Sequence, residues 1–344
     1  MGLESDNVQG MIQVPGNLEQ LPLLGRFDFI KFNLDELSGV VSGEGKERDA
    51  VIDVDPHDLP SLDLTVDELH VNGRNLGKAR LAWQKEKDGI TINELDLAGD
   101  ILDLSGQGYW RLTDKGHLTS INIKAHSDSL GTLQNELGIA SGIEEAPADL
   151  KAELYWPSSP LEMGPEKLYG SIWLQVDKGR VKDVEPGVGR LIGLFSLNAL
   201  GKRLALDFRD FFTEGFHFDA IEGNFTVFNG VATTHDLVVQ SPAAKIDFSG
   251  ETGLVKRSYD QQVVVTPHLS ATLPLVGALA VNPTVGVALA VTQKLLGKQF
   301  DKIVQRTYTV TGSWDEPEFT LISKRSLNEE SEEKDIGVEL PGRP

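Results

Sequence analysis

From residue 62 onward, apolar side chains recur at every second position, and turn signals interrupt them too often for helical crossovers to fit between strands. Leu62, Leu64 and Val66 alternate with polar neighbours, as do Leu69 and Val71, and Asn72-Gly73 follows as a turn. Leu81 and Trp83 come next, then Lys87-Asp88-Gly89 as a second turn, then Ile90 and Ile92, Leu95 and Leu97. Leu102/Leu104, Trp110/Leu112 and Ile121/Ile123/Ala125 continue the series. Such spacing predicts antiparallel hairpins. The 35 Gly and 16 Pro supply the turns, and 40% apolar residues are enough for a real core.

The stretch 168–253 organises the rest. Ile172, Leu174 and Val176 form a half-buried strand pattern; Val188, Leu191, Ile192, Phe195 and Leu200 fit one stripe of a short helix. Alternation returns at Leu204, Leu206 and Phe208, and again at Ile221, Phe225 and Val227 before the Asn229-Gly230 turn. Earlier strands are expected over 26–34 and 50–54, separated by the polar loop 42–49. A helix capped by Asp128 and stopped at Gly138 carries Leu130, Leu133 and Leu137. The turn-strand-turn-strand run 88–106 is echoed by 229–250. The Pro-rich stretch 157–165 marks a soft boundary, giving expected segments 1–160 and 161–322, with an acidic, disordered tail over 323–344.

Residues 261–293 contain no Asp, Glu, Lys or Arg. Asn282 as cap, Pro283 and Gly297 define a helix of about 21 Å, against a hydrocarbon core of about 30 Å. It is too short to span. Packing on the sheet and contact with a membrane interface both remain open for Leu273, Leu275, Val276, Leu279, Val287 and Leu289.

The formal charge of −20 excludes nucleic acid as a partner, because phosphate neutralisation needs a basic surface. Without cysteine there is no disulfide, thiol chemistry or Cys-bound zinc. No His pair has metal-ligand spacing, so neither metal nor cofactor is expected, although His217 and His235 could meet across strands. The 187–193 glycines do not follow a buried parallel strand, as a nucleotide site requires. Asp207, Asp210, Glu214, Asp219 and Glu222 alternate with apolar residues, as a solvated strand face does; a glycosidase pair using Asp207 or Glu222 is the minor alternative.

What stands out is surplus apolar surface. Phe208, Phe211, Phe212, Phe216, Phe218, Phe225 and Phe228 crowd one span, and few helical segments are available to cover a sheet face. Two closures satisfy the pattern: a sealed core, which would make the chain a structural scaffold, or a curled sheet leaving a trough.

Residues 189–230, with 230–250 after them, resemble the C-terminal part of members of the AsmA-like family; 62–77 and 148–160 are similar to segments that precede it there. The likeness covers about 62–320. It implies a mostly β protein, with a long twisted antiparallel sheet curled into an open hydrophobic groove and short helices mainly toward the C-terminal end. It also implies a non-enzymatic bridge that carries phospholipid between inner and outer membranes through the periplasm. Family members carry an N-terminal membrane anchor, which is absent here, so the chain is expected to be a C-terminal piece. On that reading the acyl chains contact Ile172, Leu174, Val176, Leu204, Leu206, Phe208, Phe225, Val227, Val263 and Val265. The outer membrane's inner leaflet, or a protein in it, meets the 271–296 stretch.

Overall fold

The computed structural model describes residues 1–19, 21–32, 54–137, 143–181, 216–268 and 304–326. The strands are β1 (Gly2–Glu4), β2 (Val8–Gln13), β3 (Leu23–Phe32), β4 (Leu62–Val71), β5 (Arg74–Asn75), β6 (Lys78–Glu86), β7 (Gly89–Ala98), β8 (Asp103–Thr113) and β9 (Gly116–Ser127). Helix α1 (Leu130–Glu136) precedes β10 (Ile143–Glu145), β11 (Ala148–Trp156), β12 (Tyr169–Val181), β13 (Phe216–Phe228), β14 (Val231–Gln240), β15 (Ala244–Gly253), β16 (Ser258–Pro267), β17 (Val304–Ser313) and β18 (Pro317–Ser326). They form one sheet in which neighbours in sequence are neighbours in space. β5 folds back on β4, and β10 pairs with the end of β12, so β9 joins β11 directly. No pairing joins β18 to β1, so the sheet is not closed into a barrel.

The expected hairpins are present. Asn72-Gly73 and Asn229-Gly230 take positive φ at both residues, as the tight hairpin turn demands. Every neighbouring pair is antiparallel except β3 and β4, which run parallel from Leu23 opposite Leu62 to Phe32 opposite Val71. The connection 33–61 is long enough to bring the chain back to the starting end, which a parallel pair requires. The predicted strand at 50–54 falls largely outside the described residues, as do the helix at 188–200, the strand at 204–208, the helix from 283 and most of the tail expected over 323–344, whose first residues to Ser326 belong to β18. The sheet runs on through the Pro-rich stretch, with β11 paired to β12 along its length.

Helix α1 begins one residue later than its sequence suggests. Ser129, not Asp128, is the cap; its side chain accepts a hydrogen bond from the Thr132 backbone N–H. Asp128 instead approaches His126, 3.3 Å away.

Alternation is interrupted at defined places. In β12 the buried set passes from Val176 to Gly179 and Val181, and in β13 from Phe216 and Phe218 to Ile221 and Phe225. Lys178 and Asp219, which would oppose each other there, drop out of the ladder. Single-residue bulges follow Ile92 in β7 and Thr234 in β14, corresponding points of the repeated hairpins. The main buried cluster lies on one face of β10–β18 and includes Ile221, Phe225, Val239, Ile246, Val263 and Val310.

Candidate functional site: one apolar face across the ladder

Side chains opposed across paired strands share a face, so the register traces that face through the sheet. Ile172, Leu174 and Val176 of β12 oppose Ala152, Leu150 and Ala148 of β11. Ala152 and Leu150 oppose Ile123 and Ala125 of β9, and these oppose Gly106 and Leu104 of β8. The face continues through Leu95 and Leu97, Leu81 and Ala79, then Leu64 and Val66, to Gly25 and Phe27. In the other direction, Phe225 and Ile221 oppose Ile172 and Val176. Val239 opposes Ile221, Ile246 opposes Val239, and Val265 opposes Ile246. Phe248 opposes Val263, which in turn opposes Tyr308. The thirteen strands from β3 to β17 that carry it, at about 4.8 Å between neighbours, make this face roughly 58 Å long.

Exposure divides it. Leu64, Leu81, Leu95, Leu97, Leu104, Ile121, Ile123, Leu150, Ile172 and Leu174 are all half-buried, whereas Val66 and Phe27, at the β3–β4 end, are 3% and 7% exposed. Beyond Leu174 the face is sealed: Val176 and Phe225 are 2% exposed, Val227 1%, and Val263 and Val265 0%. Thus Ile172 and Leu174 end the half-exposed part, and the other described candidates belong to the sealed part. Leu204, Leu206, Phe208, Leu273, Leu275, Val276, Leu279, Val287 and Leu289 lie outside the described residues. Reasoning from sequence picked out β12 to β16 and passed over the half-exposed aliphatics of β4 to β9. The available signal was side-chain size. The half-exposed part interleaves its aliphatics with Ala79, Gly106, Gly108, Ala125 and Ala152, whereas the sealed part carries Phe225, Phe248, Tyr259 and Tyr308.

Let the strand ends bearing the Asn72-Gly73 turn be the upper ends. The lower end of the half-exposed part is closed by three indoles and two loops. Trp83 Nε1 donates to the Pro60 carbonyl at 2.8 Å, Trp156 Nε1 to the Ser159 carbonyl at 2.9 Å, and Trp110 Nε1 to His117 Nδ1 at 3.1 Å. Thr119 Oγ1 donates to the Ser158 carbonyl at 2.8 Å, fixing the second loop to β9. In the first loop, the backbone and ring donors of His57 hold the Asp55 carboxyl below the usual carboxylate range. Long connections (128–147, 182–215 and 269–303) all leave from upper strand ends.

The opposite face is polar. Arg80 reaches Asp63 at 3.3 Å and Glu94 at 3.0 Å, and Lys78 reaches Asp67 at 3.1 Å. Glu222 is exposed there, opposite Gln175, while Asp207 lies outside the described residues. His217 and His235 do not meet: His217 opposes Arg180 near the upper end of β13, and His235 sits in the bulge of β14. Phe228, counted among the surplus apolar residues, points outward at 65% exposure, edge-on to Tyr169, which stacks on Tyr155. Among the described residues no group of three or more His, Asp or Glu could hold a metal ion, and no helix is long and apolar enough to cross a membrane.

A family model, the YhdP protein family, matches residues 1–319. The chain belongs to the YhdP family. A relative in Escherichia coli (strain K12), the intermembrane phospholipid transporter YhdP, is 30% identical over 260 residues, 72% of this chain and 20% of its own length. The chain therefore spans about one fifth of that relative. No solved structure matches it.

Proposed function

We propose that this chain is a non-enzymatic phospholipid conduit, a C-terminal segment of a bridge between the inner and outer membranes, working in the periplasm. The observation that carries the reading is the half-exposed apolar face from β4 to β12. Each of its half-buried aliphatics leaves roughly 1 kcal/mol of burial unrealised, and an acyl chain lying along the face supplies the missing cover at about 0.8 kcal/mol per methylene. In this reading the curled sheet is a trough. Ile172 and Leu174 contact acyl chains directly, and Val176, Phe225, Val227, Val263 and Val265 extend the same face into the part now sealed. Leu204, Leu206 and Phe208 are assigned to its lining on sequence alone. The name of the E. coli relative supports phospholipid as cargo. The sealed face of β13–β17 favours a scaffold role for that half, with carriage confined to β4–β12.

In sequence the uncharged stretch connects β16 to β17, the strand paired with the edge strand β18. Leu273, Leu275, Val276, Leu279, Val287 and Leu289 are proposed to meet the outer membrane's inner leaflet or a protein in it. Asp at both Val287 and Leu289 should impair delivery, and normal delivery by that double variant would remove the role.

The decisive experiment places a photo-reactive amino acid at Leu95 or Ile123, and at the outward Glu94 or Asn122 as controls. Phospholipid adducts are expected at the first pair. Equal labelling of both pairs, or none at Leu95 and Ile123, would overturn the conduit.

A further inference from the structure

The turn between β4 and β5 touches α1, although β6, β7 and β8 separate β4 from β9, the strand that leads into the helix. Four strand spacings are about 19 Å, and a seven-residue helix covers about 10 Å of that. Side chains bridge the remainder. Asn72 Nδ2 donates to the Leu137 carbonyl at 3.1 Å, and Arg74 Nε lies 3.2 Å from Glu136 Oε2. These contacts complete a ring at the upper strand ends: β4, β6, β7, β8, β9, α1 and back to β4.

The two ends of α1 are held differently. On the β10 side, Leu130 N–H donates to the Ala146 carbonyl at 2.9 Å, and Leu130 packs against the main core. Gly131 lies so close to β10 that a Cβ there would sit 2.5 Å from the Ile143 carbonyl oxygen. That end is fixed. At the far end the ties among the described residues include a hydrogen bond between neutral groups and an ion pair whose Arg74 side chain is mostly exposed and whose Glu136 side chain is mostly covered, each a modest contribution. No acidic residue in the first turn and no basic residue in the last turn reinforces the helix dipole. Gln134 is buried in the closed position with Oε1 lacking a protein partner, a cost that exposure to solvent would relieve. The helix is thus anchored at one end and releasable at the other.

We propose that this contact is a latch, and that phospholipid enters the β4–β9 part of the trough from the side only when the latch is released. The proposal rests on the conduit reading and adds a control point to it.

The chain has no cysteine, so Arg74→Cys with Glu136→Cys can be joined by a short bis-methanethiosulfonate linker, each thiolate forming a reducible disulfide as methanesulfinate leaves, with no competing thiol. Loading is followed by dequenching of a fluorescent phosphatidylethanolamine taken up from phosphatidylethanolamine–phosphatidylglycerol vesicles. Linking should slow loading roughly tenfold by depleting the open state, and reduction should restore it. Glu136→Gln, which removes the ion pair and leaves the core untouched, should speed loading about two- to fivefold. If linked and reduced proteins load at the same rate, the latch falls and the conduit stands. If the unaltered chain and the reduced variant take up no lipid, the conduit falls and takes the latch with it.

Discussion

Ile123 of β9 and Val263 of β16 occupy equivalent places, each facing the apolar side of a ten- or twelve-residue strand between two antiparallel neighbours. Ile123 is half-exposed and Val263 is fully buried. Hydrophobic periodicity is the same in both regions. What differs is volume: glycine and alanine share the face around Ile123, and aromatic rings share it around Val263. Alternation selects a face, and side-chain size decides whether that face closes on itself.

The comparison can be broken by measurement. The largest expected effect is in the sealed region, where Phe225→Ala should cost about 3–5 kcal/mol in chemical denaturation, the usual result of emptying a packed aromatic site. Ile123→Ala should cost only about 1–2 kcal/mol in lipid-free protein, because half of that side chain already faces solvent. Equal losses at the two positions would erase the distinction.

A smaller effect is expected at the β13–β14 bulge. Burial pushes the Asp236 carboxyl up, but donors from the Asn224 side chain and backbone, at 2.7 and 2.9 Å, outweigh it and hold its pKa below the ordinary value. Its stabilisation is complete above the ordinary Asp pKa and is lost as pH falls through the lowered folded value. Asp236→Ala should cost about 1 kcal/mol at neutral pH, modest because the carboxylate is exposed, and should flatten the acid limb of the stability profile. The smallest effect belongs to the half-exposed region's upper end. Hydrogen bonds with Asp149 and then Asp128 raise the pKa of His126, whose cross-strand neighbours on the polar face are Asp103 and Asp149. That contribution is full below the ordinary histidine value of 6.5 and disappears as pH rises through the higher folded value. Urea titrations of His126→Asn should show a shallower decline over that window.

Much of the sheet was legible in the residues. Asn72-Gly73 and Asn229-Gly230 announced hairpins because few other dipeptides accept positive φ twice. The parallel pairing of β3 with β4 was not legible, since it depends on where a long connection returns the chain rather than on either strand's pattern. The outward aim of Phe228 follows from parity: Phe225 and Val227 face inward, so Phe228 cannot. Parity alone would mislead across the whole of β13, because Phe216 and Phe218 also face inward, on the other side of the interruption at Asp219. As for the candidate site, the apolar face was readable and its cover was not. Of the three indole N–H groups at the lower end, those of Trp83 and Trp156 bind loops and that of Trp110 binds His117 of the neighbouring strand, and pattern marks each of these only as another strand residue.

Strands that follow one another in both chain order and space, in a sheet that never joins its first member to its last, have a practical evolutionary consequence. Copying a hairpin adds about 10 Å of span without disturbing any pairing already made, so reach can be adjusted by gene duplication. The matching bulges of the β7–β8 and β14–β15 hairpins are what such copying would leave behind.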